Sequence, residues 1–156
     1  MSAAAVPLET TLQVRDACLC LHVQRAARAL ARRFDQALRP AGLTNTQFSL
    51  LNALNGPRPA TRGAVAALLG ADRTTLTAAL KPLLRQGLAM VEADADDGRV
   101  RRISLTALGR ARLAAALPLW TRAHGALETA LGEAAPARLR QDLNTLSASR
   151  AGAHNP

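Results

Sequence analysis

The stretch from Thr61 to Leu105 admits very few folds. Thr61 is a good N-cap, followed by Arg62-Gly63-Ala64-Val65-Ala66-Ala67-Leu68-Leu69, whose apolar positions recur at helical spacing until Gly70 ends the run. Gly70-Ala71 makes a turn, and Asp72 caps a second helix from Arg73 to Gln86, which stops at Gly87, the residue type favoured just past a helix end. Leu76, Leu80, Leu83 and Leu84 give this helix an inward face. Two strand-like runs follow, Leu88 to Ala93 and Val100 to Leu105, around Asp94-Ala95-Asp96-Asp97-Gly98-Arg99, and the Asp-Gly pair is a strong hairpin signal. Helix, tight turn, helix and hairpin in that order spell a winged helix-turn-helix.

On the second helix, Arg73, Thr74, Thr75, Thr77 and Ala78 are left outside near the start, where short polar groups and a methyl can approach base edges in a major groove. Lys81 continues that polar side by one turn. Arg99, Arg101 and Arg102 decorate the hairpin, and a guanidinium at its tip, Arg99 above all, suits the negative potential of a minor groove. The ordinary alternative is that these arginines pair with Asp94, Asp96 and Asp97 as a solvated surface, where such pairs are worth little.

The charge balance agrees with a polyanionic partner: 20 basic against 11 acidic residues, a formal +9. Lys81 is the only lysine, so arginine carries the charge, although an alanine- and arginine-rich composition also follows from genomic base bias. Nearly half the residues are apolar, which suits one globular domain or two lobes sharing a core. No run is long and apolar enough to span a bilayer, and Met1 to Pro7 lacks a secretory signal's features; no membrane role and a cytoplasmic location are expected. Two cysteines close together do not make a disulfide framework.

Helices flank the reader. Asp16 to Ala37 reads as one long helix with Leu19, Val23, Ala26, Leu30 and Phe34 on a stripe, broken by Pro40 and Gly42. Thr44-Asn45-Thr46-Gln47 has capping-box spacing and opens a helix through Phe48, Leu50, Leu51 and Leu54 to Asn55-Gly56-Pro57. Thr106 caps a long helix from Ala107 to Leu131, with Pro118 as a kink site, and a last helix runs from Pro136 to about Ser147 with Leu139, Leu143 and Leu146 on one face. The expected fold is mainly α with a small β wing. Its divisions are a flexible segment over 1–15, an N-terminal dimerisation helix over 16–42, the winged lobe over 43–106, C-terminal dimerisation helices over 107–150 and a frayed tail over 151–156. Terminal helices with apolar stripes point to a homodimer, whose two-fold axis would make a near-palindromic site on double-stranded DNA.

From about Asp16 to Ser147 the chain resembles the MarR family of bacterial regulators. The resemblance rests on Gly42-Leu43-Thr44 leading to Gln47-Phe48, Asp72-Arg73-Thr74-Thr75-Leu76-Thr77, Gln86-Gly87-Leu88, Asp97-Gly98-Arg99, and Ser104-Leu105-Thr106-Ala107-Leu108-Gly109. It implies a triangular dimer held by the terminal helices, winged lobes on a near-palindrome, repression of nearby genes, and an effector pocket between the dimer region and the reading lobe. Ala78 departs from the arginine that many members carry there, and Pro82 inside the reading helix is atypical and is expected to loosen its later half.

Cys20 falls where the hydroperoxide-sensing branch of that family places its reactive cysteine, and Arg28 matches a basic residue of that branch. That branch supports its cysteine with tyrosines, whereas this chain has none and carries Gln24, Phe34 and Asn45 instead. Cys20 is therefore a candidate redox sensor beside the plainer role of a small packed hydrophobe. Read as two residues apart on one helix, Cys18 and Cys20 point to different sides, so pairing between them would be across subunits. Cys18 and His22 share a face but are too few to hold a metal. His22, Arg25, Arg28 and Trp120 are candidate effector-pocket residues; the stripe Arg25, Arg28, Arg32 and Arg39 suits an anion or simply solvent, and Trp120 suits the core equally. No nucleotide loop, paired carboxylates or nucleophile triad suggests an enzyme, and no cofactor is expected. A winged helix serving only as a protein-interaction module is the reading from a different class.

Overall fold

The computed structural model describes residues 5–148. Its elements in chain order are α1 (Leu8–Ala17), α2 (Leu19–Leu38), a 3-10 turn (Arg39–Ala41), α3 (Asn45–Leu54), β1 (Ala60–Thr61), α4 (Arg62–Leu69), α5 (Arg73–Arg85), β2 (Ala89–Ala93), β3 (Arg101–Leu105), α6 (Ala107–Leu131) and α7 (Ala135–Ala148). The three strands form an antiparallel sheet in the order β1-β3-β2.

Caps decide where the helices begin. Thr44 accepts from the Gln47 N–H while the Gln47 side chain accepts from the Thr44 N–H, completing the capping box that opens α3. Thr61, Asp72 and Thr106 each accept from the N–H three residues on, starting α4, α5 and α6. Gly70 takes φ 61°, a left-handed conformation open to glycine at little cost, and turns the chain from α4 towards α5. Both prolines inside helices are accommodated, Pro82 in α5 and Pro118 in α6, each helix continuing beyond it.

Two expectations are corrected at the N-terminal end. Residues 8–17 form α1, not a flexible segment, and the single helix expected from Asp16 is broken at Cys18. The break has a local cause: Cys18 is extended, at φ −72° and ψ 102°, and its Sγ accepts from the Leu21 N–H, so it caps α2. His22 Nε2 reaches back 3.0 Å to the Asp16 carbonyl across the break. The frayed tail expected over 151–156 lies outside the described residues.

One hydrophobic core runs through the lobe and its flanking helices. Leu38 of α2, Leu50 and Leu51 of α3, Val65 of α4, Leu76 and Leu83 of α5, Ile103 of β3 and Ala116 of α6 are all essentially inaccessible. The inward face expected for α5 is thus in place, with Leu80 also buried and Leu84 packed against the core from its edge. The N-terminal turns of α6 meet the start of the wing closely. Thr106 Oγ1 donates to the Gly87 carbonyl at 2.6 Å, the Thr106 N–H to the Leu88 carbonyl at 3.1 Å, and a Cβ at Gly109 would stand 1.9 Å from that same Leu88 oxygen. Among the described residues no helix is long and apolar enough to cross a membrane.

Candidate nucleic-acid interface

Capping by Asp72 orients the first turn of α5. Its carboxylate takes the Thr75 N–H at 2.7 Å, and that hydrogen bond, foremost among several, holds the Asp72 carboxyl below its usual range. With the end of the helix anchored there, Arg73, Thr74, Thr75, Thr77 and Lys81 are all exposed while Leu76 and Leu80 between them are buried. The Thr77 hydroxyl donates to the Arg73 carbonyl at 2.7 Å, which leaves its oxygen free to accept.

A residue that sequence reasoning passed over joins this group. Arg62, the first residue of α4, lines a cavity of about 270 Å³ together with Arg73 and Thr77. Two guanidiniums without acidic partners among the described residues, at the beginnings of two successive helices, make an anion-sized notch. Its signal in the sequence was the placement of an arginine directly after the Thr61 cap of the first reader helix.

The wing arginines divide. Arg102 is half-buried and bound through Nε to Asp94, with Nη1 also 3.4 Å from the Pro59 carbonyl. The Arg102 guanidinium, ahead of the N–H groups of Asp96 and Asp97, holds the Asp94 carboxyl below its usual range. Arg102 thus braces the hairpin through a pair that is half-buried, not a solvated one. Arg99 and Arg101 are exposed and their guanidiniums have no partner among the described residues. The turn itself is ordered by Asp94 and Asp97: Asp94 Oδ1 takes the N–H groups of Asp96 and Asp97, and Asp97 Oδ1 takes that of Arg99 at 3.0 Å.

The four candidate pocket residues do not come together. Trp120 stacks between aromatic neighbours, with its centroid 4.5 Å from that of His124 and 6.0 Å from that of Phe48. It faces a cleft of about 480 Å³ walled also by Phe48, Leu68, Leu69 and Leu117. His22, Arg25 and Arg28 line a separate hollow along α2 with Arg32. Cys20 is exposed, and its Sγ accepts from Gln24 Nε2 at 3.2 Å, while Arg28 Nη2 lies 3.4 Å from Gln24 Oε1. Cys18 caps the helix instead of lying on it, so the helical geometry that separated the two thiols does not apply. Among the described residues no group of His, Cys, Asp and Glu is gathered for a metal.

An exposed polar helix start, a partner helix set by a glycine turn and a hairpin with free arginines define a winged helix-turn-helix protein of the DNA-reading class. The profile of the MarR family matches residues 41–100. The transcriptional regulator MosR of M. tuberculosis, solved in complex with DNA, is 41% identical over 88% of this chain and 99% of its own, with a TM-score of 0.79. The transcriptional repressor CouR bound to a 23-mer DNA duplex is 28% identical over 95% and 99% of the two chains, at a TM-score of 0.72. CouR bound to p-coumaroyl-CoA gives 28%, 86% and 94%, at 0.75. No curated protein matches the chain. The chain belongs to the MarR family of DNA-binding transcriptional regulators.

Proposed function

We propose that the protein is a homodimeric repressor that binds a near-palindromic operator and is released by a small-molecule effector. The observation that carries the DNA-reading part is the exposed face Arg73, Thr74, Thr75, Thr77 and Lys81 on a capped α5, beside the unpartnered Arg99 and Arg101 of the wing. In this reading α5 enters the major groove, Arg99 the minor groove, and Arg62, Arg73 and Arg101 meet phosphates. Support for the dimer comes from apolar side chains left exposed on the terminal helices: Leu8, Leu19 and Val23 at one end, Leu139, Leu143 and Leu146 at the other. Repression and release by an effector are supported by the likeness to CouR, a repressor solved with DNA and with p-coumaroyl-CoA.

The test is selection of duplexes from a random pool by the reduced protein, followed by sizing of the complex. A recovered inverted repeat bound by two chains is expected. Recovery of no preferred sequence would leave a winged helix acting through protein contacts.

A second reading makes the signal oxidative, and the Gln24 contact to an exposed Cys20 favours it. The thiolate would attack the terminal oxygen of an organic hydroperoxide, breaking the O–O bond and taking the hydroxyl as a sulfenic acid, while the alkoxide leaves and takes a proton from water to become the alcohol. Stoichiometric hydroperoxide should then abolish DNA binding by the wild type and spare Cys20→Ser; equal binding before and after oxidation sets this reading aside.

A further inference from the structure

Helix α2 carries four arginines and a single carboxylate, and that carboxylate is already engaged: Asp35 Oδ1 takes the Asn45 N–H at 2.6 Å. Arg25, Arg28 and Arg32 fall at i, i+3 and i+7, on the side of the helix away from Phe34 and Leu38, which are buried in the core. All three are exposed, and no acidic side chain pairs with them among the described residues. With His22 they border a trough of about 650 Å³, whose other walls, Ala26 and Ala29, are too short to screen the guanidiniums. None of the three stands on α5 or on the wing.

We propose that this face of α2 binds the phosphate backbone of a second DNA duplex, without regard to sequence, while α5 and the wing hold the operator. The inference extends the operator-binding reading and rests on it. Like charges three and four residues apart on a helix repel one another, so the trough favours a partner with a row of negative charge. The match to a duplex is also one of spacing. Arg25 to Arg32 spans about 10 Å at 1.5 Å per residue, and one strand presents about three phosphates over that length of axis. Each guanidinium can take a phosphate through two N–H groups. Carboxylates on a protein partner have no such fixed row, and exposed pairs with them are worth little. The two basic faces are also separate. Helix α2 turns its buried side to α3 and α6, α5 turns its own to α3, and each carries its basic groups away from that shared core. A duplex lying along α5 leaves the α2 trough free, and DNA is too stiff to fold back and reach it. The protein on its operator is then a bridge between two DNA segments.

Two-colour sedimentation of the full chain tests the assignment. The protein is saturated with its selected duplex, cut to the length of the recovered site and labelled in one colour, and a shuffled duplex in the second colour is added. The shuffled duplex should travel with the operator complex, and its affinity should fall about 40-fold between about 50 and 200 mM salt, the change for three phosphate contacts. Replacing Arg25, Arg28 and Arg32 together by glutamine should weaken the shuffled duplex at least tenfold and leave operator affinity unchanged, whereas replacing all three by lysine should retain both. Should the glutamine variant unfold, Arg32→Glu alone is expected to weaken the shuffled duplex at least tenfold. Absence of a ternary complex in wild type, an undiminished one in these variants, or capture of polyglutamate that shuffled DNA does not displace would overturn the proposal. Protein that selects no operator removes the repressor reading; loss or retention of shuffled DNA in the glutamine variant then keeps or removes the α2 site by itself.

Discussion

At the scale of single residues, similar side chains on this surface have different duties. Arg99 and Arg102 were indistinguishable as letters in a basic hairpin; the structure separates them because the Arg102 side chain is bound to Asp94 and that of Arg99 has no partner among the described residues. Arg99→Ala should therefore lower operator affinity while leaving thermal stability unchanged, whereas Arg102→Ala should lower the stability of the wing, read by hydrogen exchange of the Asp94 to Val100 turn. Unchanged operator affinity in Arg99→Ala would remove the wing tip from DNA reading. Gly109 has a different kind of necessity, since any Cβ would collide with backbone at Leu88, which cannot step aside as a side chain would. Gly109→Ala should cost about 3 kcal/mol, the upper part of the range for overpacked sites, in urea denaturation. The sequence marked Gly109 only as part of a family motif; its contact across to Leu88 is a long-range fact that spacing does not encode.

At the scale of elements, what was legible was what local chemistry controls. The caps at Thr44, Thr61, Asp72 and Thr106 and the helix lengths that follow from them match the expected positions, because an N-cap acts within three residues of itself. The strand β1 was not legible: Ala60 and Thr61 are too few to show alternation, and they are extended because β3 pairs with them. The break at Cys18 was hidden for a related reason, as cysteine is a rare cap and no glycine or proline marks the position. Asp72 gives α5 a pH dependence with a definite sign. Its folded pKa lies below the unfolded value, so its contribution is complete above the ordinary aspartate range and is lost as pH falls through the lowered folded value. Acid titration of Asp72→Asn followed by circular dichroism should show α5 already weakened at neutral pH and less further loss below about pH 4 than in wild type.

At the scale of the whole molecule, the uncovered apolar faces of α1, α2 and α7 set the oligomer experiment. Leu143→Arg in α7 should shift the protein towards monomer in sedimentation and, by unlinking the two readers, weaken operator binding far more than it alters the fold. Binding of the wild type should fall steeply with salt, as the arginine-borne charge requires. The candidate site was legible in part for the same reason of scale. The face of α5 follows from one helix's period, but the cleft at Trp120 gathers residues of three elements and the notch at Arg62 gathers two. The junction of Thr106 and Gly109 with Gly87 and Leu88 carries a last implication. The wing is fastened to one end of α6, a rod about 37 Å long at 1.5 Å per residue. In the dimer proposed above, a tilt of a few degrees set at the far end of that rod would be felt at the hairpin, and small angular changes among the helices would become changes in the distance between two DNA-reading heads.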